Sequence, residues 1–164
     1  MINFILKFDL IQEAFLIMIN DLFILGTLSG LIANIPVNIF DLILYRLKIN
    51  KIFIWHISAS AFVEKKDIKS FAGLLIGAID DYTMAAIKGV FIAYLLFFTG
   101  TKFYIIKGIT AGLFFWLCFF GIVLRLKIAR IDPVEPATNL THLTWHILLG
   151  GLTAWLIIMG TGVF

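Results

Sequence analysis

Residues 22–40 read LFILGTLSGLIANIPVNIF and contain no Asp, Glu, Lys or Arg. A charge-free run of about 20 residues, rising 1.5 Å per residue as an α-helix, matches the ~30 Å hydrocarbon core of a bilayer. Working outward, residues 108–124 and 136–164 are equally free of charge, and residues 82–101 carry only Lys88. These stretches predict an all-α integral membrane four-helix bundle. Its spans fall at about 22–45, 70–98, 103–125 and 139–162, within a single transmembrane domain covering residues 1–164.

Composition agrees. The chain is 62% hydrophobic with a mean hydropathy of +1.05, against about 45–50% apolar residues in soluble domains. Cys118 is the sole cysteine, so a disulfide framework and a four-thiolate metal site are both excluded. Frequent Phe, and Lys in excess over Arg, suit a bacterial source. The first twenty residues lack a basic start, and Asp9 and Glu13 interrupt any apolar run, so no cleavable signal peptide is expected. Phe4, Phe8, Ile11, Phe15 and Met18 make one apolar stripe at helical spacing. They read either as an interfacial helix over residues 2–19 or as an extension of the first span.

Residues 52–63 are apolar but too short to cross, since twelve helical residues reach only about 18 Å. They read as an interfacial or re-entrant segment. Pro36 lies within the first span and is expected to kink it. Pro133 and Pro136 fall in the linker 126–138 as punctuation.

Orientation follows from basic residues. Arg46, Lys48, Lys51, Lys65, Lys66 and Lys69 lie between spans one and two, and Arg125, Lys127 and Arg130 between spans three and four. The other side has Lys7 and Lys102, with Lys107 just inside a helix. The positive-inside rule then places both large loops in the cytoplasm and both termini outside, in a bacterial inner (cytoplasmic) membrane. The pI of about 9.1 reflects that topology and contact with anionic lipid; no nucleic-acid site is expected. The expected partners are the bilayer, a second copy of the chain, or a larger membrane complex.

Glycines four apart recur as Gly26/Gly30, Gly73/Gly77 and Gly108/Gly112. Such GxxxG pairs flatten a helix face for close packing, here within one bundle rather than at a dimer seam. Residues 24–31 and 106–113 share a glycine-led pattern, and each is followed by a Leu-Arg-Leu-Lys or Tyr-Arg-Leu-Lys ending. The chain therefore reads as two pseudo-repeated hairpins.

The polar groups within spans carry the functional information, because an Asp or Lys at a helix centre costs about 2.5–3.5 kcal/mol on insertion scales. Asn34, Asn38 and Asp41 follow i, i+4, i+7 spacing on one helix face. Asp80, Asp81 and Lys88 share the second span, with Asp81 and Lys88 two turns apart and not expected to pair directly. His142 and His146 lie one turn apart in the last span. Counting from the basic loops brings these groups, with His56, to the cytoplasmic half, and puts Lys88 and Lys107 in the outer half.

Three readings are open. The groups are interfacial, with Trp55 and Trp145 as aromatic-belt anchors. Alternatively they line a hydrated cavity, open to the cytoplasm and formed by Asn34, Asn38, Asp41, His56, Lys88 and their neighbours, that assists ion or proton passage. Or His142, His146, Asp80 and Asp81 bind a divalent metal in a small membrane enzyme, although the helix lacks the Glu of the zinc-protease motif. No catalytic or organic-cofactor motif is present, so a non-enzymatic protein or a structural scaffold is favoured over an enzyme.

The glycine-led span from Lys107 to Leu113, and the last span opening with His146 before Gly150, resemble small four-span bacterial inner-membrane proteins of the YagU-like group. The resemblance implies that membrane and four helices, with no catalytic residues to carry over.

Overall fold

The structure, a computed structural model, describes residues 21–123, 126 and 135–161. The expected helix over residues 2–19 lies outside them. Five α-helices and one π-helical segment follow in order, with no strand among the described residues. Helix α1 spans Leu22–Arg46, α2 Ile54–Ala59, α3 Phe71–Thr99, α4 Tyr104–Trp116 continuing as a π-helix over Leu117–Val123, and α5 Pro136–Gly160. Helices α1, α3, the α4 segment and α5 are each long and apolar enough to cross a membrane.

Local signals set the ends. The Asp21 carboxylate accepts from the Phe23 and Ile24 N–H groups at 2.8 and 3.2 Å, satisfying donors that a helix N-terminus leaves free. Ser70 does the same for Gly73 at 3.0 Å. The assigned helix α1 continues through Pro36, leaving the Ile32 carbonyl without its intrahelical donor. Pro136 is not in the linker as expected; it stands at the first turn of α5, where a missing N–H costs nothing and the ring pre-sets the backbone. Lys107 has a capping role: its ammonium donates to the Thr99 and Gly100 carbonyls at 2.9 and 2.7 Å, closing the C-terminus of α3.

Packing uses small residues. A Cβ on Gly26 would meet the Gly89 carbonyl oxygen at 2.7 Å, and one on Gly30 would overlap the Ala85 carbonyl, so the α1 and α3 backbones touch. Gly108 and Gly112 meet Gly150 and the His146 carbonyl in the same manner, joining α4 to α5. Association in lipid depends on such close van der Waals contact, since hydrocarbon tails are as apolar as Leu. Gly77 likewise meets the Trp55 carbonyl, seating α2 against α3.

The distribution of polarity is inverted relative to a water-soluble protein. Phe71, Phe97, Phe98, Ile79 and Leu148 face outward, whereas Asp41 and His142 are 0% exposed and Asn34 only 2%. An exposed apolar surface of this extent suits a lipid solvent. Residues 56–60 are all buried. The segment of which they form part packs against α3.

Candidate functional site

One end of the bundle core is apolar: Leu25, Ile92, Leu96, Ile157 and Ile158 form a cluster with Ala93, Ala111 and Ala154. Further along the same helices the buried faces turn polar. The i, i+4, i+7 spacing does place Asn34, Asn38 and Asp41 on the inner face of α1, but the two amides serve Asp81 while the Asp41 carboxylate takes donors of its own. Asn34 and Asn38 donate from their side-chain amides to Asp81 Oδ2 at 2.6 and 2.8 Å. Asp41 turns to the loop and α5. It accepts from Asn50 Nδ2 at 2.8 Å, the Ile54 backbone N–H at 2.9 Å and the Trp145 indole N–H at 3.1 Å.

Three donors satisfy much of a fully enclosed carboxylate, which is how such a group is tolerated away from water. Asp41 also fixes the start of α2 by holding the Ile54 N–H. Trp145, expected as a belt anchor, is part of the site. Its ring stacks on Phe40 with centroids 6.2 Å apart, while its indole N–H points inward. Asn50 had no sequence signal, because it lies in a loop outside every apolar run.

The two histidines of α5 diverge. His142 Nε2 lies 3.5 Å from Asp41 Oδ1, a separation that permits Coulombic attraction without a hydrogen bond, and neither ring nitrogen has a hydrogen-bond partner. His146 Nδ1 sits 3.3 Å from Lys88 Nζ. Lys88 was expected in the outer half; instead its ammonium reaches inward to the shared site. Phe120, brought in by the π-helical end of α4, packs on both rings with centroid distances of 5.5 and 6.1 Å. A π-helical turn at a functional position is a recurrent device, and nothing in the Phe-rich sequence there announced it.

Two small cavities run between these groups. One, about 30 Å³, is lined by Asn34, Asn38, Asp41, Asp81, His142 and Trp145 among others. The second, also about 30 Å³, is lined by Ser58, Asp80, Met84, Phe119 and Phe120. Ile54, Asp81, Lys88 and His146 line both. Each volume suits about one water molecule. The segment beginning at Ile54 contributes to the walls of both cavities. A larger apolar groove of about 460 Å³, lined by Pro36, Phe40, Ile109, Trp145 and Trp155, lies across the Trp145 ring.

His56 does not line either cavity. Its Nδ1 accepts from the Phe53 N–H at 3.4 Å, and the ring packs edge-on against Tyr45 at 5.3 Å. Burial lowers its pKa, the nearby Lys69 charge adds to that, and Asp41 opposes it. For a metal the arrangement is poor: among the described residues no three His, Cys, Asp or Glu side chains are grouped to hold an ion. His142 and His146 sit beside different partners, and the partner of His146 is itself a cation. No protein-family model, curated protein or solved structure matches this chain.

Proposed function

We propose that this chain is a multi-pass protein of the bacterial cytoplasmic membrane, with both termini outside, whose buried polar cluster binds protons or small monovalent cations and assists their passage. The observation that carries this reading is that Asp41 and His142, both 0% exposed, line a water-sized cavity together with Asp81 inside a bundle of four apolar helices. Intramembrane ionisable groups are expensive and face pathways or one another. Here Asp41, Asp80 and Asp81 line the two cavities that share the Lys88 ammonium. If all are ionised the cluster is left with excess negative charge, which a proton or cation neutralises. The cavities are too small for an organic substrate. The apolar Leu25–Leu96–Ile158 layer closes the other half, so passage requires the helices to shift.

The test is flux in proteoliposomes driven by a potassium-diffusion potential, with a pH dye inside. Wild type is expected to acidify the lumen at least tenfold faster than protein-free vesicles, and Asp81→Asn and Asp41→Asn to fall to the protein-free rate. Wild-type flux at that baseline, or variants equal to wild type, would remove the reading.

A further inference from the structure

The cavity between α1 and α5 has a surplus of hydrogen-bond acceptors. Asn38 directs its amide N–H groups to the Asn34 carbonyl at 3.1 Å and to Asp81 at 2.8 Å, which leaves its Oδ1 buried without a donor. His142 is fully buried and neither ring nitrogen is hydrogen-bonded. A neutral imidazole always has one acceptor nitrogen and one N–H donor, whichever tautomer it adopts; His142 Nε2, 3.5 Å from Asp41 Oδ1, is placed to carry the proton and leaves Nδ1 as an acceptor. When ionised, the Asp41 and Asp81 carboxylates can only accept. These four side chains line one space of about 30 Å³. A buried polar atom without a partner costs about 1–3 kcal/mol, so the space selects an occupant that donates in several directions.

Water donates twice and brings two lone pairs that need donors of their own. Hard metal cations collect oxygen ligands in larger numbers and gain little from an imidazole nitrogen. Ammonium donates four times, accepts nothing and keeps its protons beside a carboxylate or an imidazole, whereas hydronium would hand its proton to either. The same wall already holds such a group: the Lys88 ammonium sits 3.3 Å from His146 Nδ1, one turn along α5 from His142. Resting on the passage reading above, we infer that this cavity binds one ammonium ion, a hydrogen-bond-donating monovalent cation, through Asn38 Oδ1, the His142 ring and the Asp41 and Asp81 carboxylates. Asp80, Lys88 and His146 complete the charged and titratable groups around it, and the π-helical end of α4 contributes only aromatic rings.

The Trp145 indole N–H, donated to Asp41, reports on the cavity. Its ¹⁵N–¹H resonance, assigned by Trp145→Phe, is followed in nanodiscs of the full chain at fixed pH and ionic strength as NaCl is replaced by NH₄Cl or KCl. A second series varies pH without ammonium. A saturating shift with NH₄Cl and none with KCl identifies ammonium, and that shift is lost in His142→Phe; a shift with falling pH and none with any salt reports protonation of Asp41 or His142 alone and overturns the inference. Equal responses to NH₄Cl and KCl, or none in any series, overturn the inference, and the salt comparison in the wild type requires no variant to fold. Sodium flux through vesicles without an ammonium shift would refute this cation class and leave passage standing. Ammonium binding without any flux would support this site and refute passage.

Discussion

The two halves of this bundle are built from the same four helices and held by opposite means. In one, Leu25, Ile92, Leu96, Ile157 and Ile158 interlock; in the other, Asp41, Asp81 and their amide and indole donors replace them. In water the apolar half would dominate stability. In lipid the side chains leave one hydrocarbon surrounding for another, so that half gains mainly packing. An unmatched polar group in the other half has no solvent to return to. The polar half should therefore be the less forgiving of substitution, even though it contains less tightly packed volume.

The largest effect is expected at Asp41. Asp41→Ala leaves the Asn50, Ile54 and Trp145 donors without an acceptor, and removing one partner from a buried charged network costs about 3–5 kcal/mol. Unfolding in mixed micelles would measure it, with loss of the α2 contacts as the structural consequence. Leu96→Ala, in the apolar half, opens a cavity but forfeits little transfer energy, so a cost of about 1–2 kcal/mol is expected, below the range seen in soluble cores. A larger loss for Leu96→Ala than for Asp41→Ala would reverse the ranking of the two halves.

The smallest effect concerns pH and the α2 segment that lines the polar half. His56 has a folded pKa below its unfolded value of about 6.5, so the unfolded chain binds the proton first. Its contribution is unaffected above pH 6.5. Stability then falls as pH drops below that value, with a slope of at most about 1.4 kcal/mol per pH unit. His56→Gln is expected to remove that part of the acid sensitivity. Parallel stability–pH curves for the variant and wild type between pH 7 and 5 would show that His56 does not contribute.

The spans were readable because hydrocarbon thickness demands a charge-free run of fixed length, and residues 22–40 supply one. The site was readable in outline for the same reason: Asp80, Asp81, Lys88 and the α5 histidines stand out against lipid. Its pairings were not. Which face of α1 meets which face of α3 is set by Gly26 and Gly30 against Gly89, and a list of glycines does not say which pairs with which. That rotation gives Asn34 and Asn38 to Asp81 rather than leaving them beside Asp41. His56 was grouped with the others by depth along the chain, but depth carries no direction, and its ring turns to Tyr45. Asn50 and Phe120 carried no signal, one in a loop and the other in a run of like residues.

The most direct test of the account is where water reaches the interior. Hydroxyl-radical footprinting of the protein in nanodiscs, read residue by residue by mass spectrometry, should oxidise Met84, Phe120 and Trp145 beside the two cavities and spare Leu96, Ile157 and Ile158. Equal protection of both groups would mean that water reaches neither half, contradicting the claim that the carboxylate–imidazole half of the bundle is the hydrated part of a pathway.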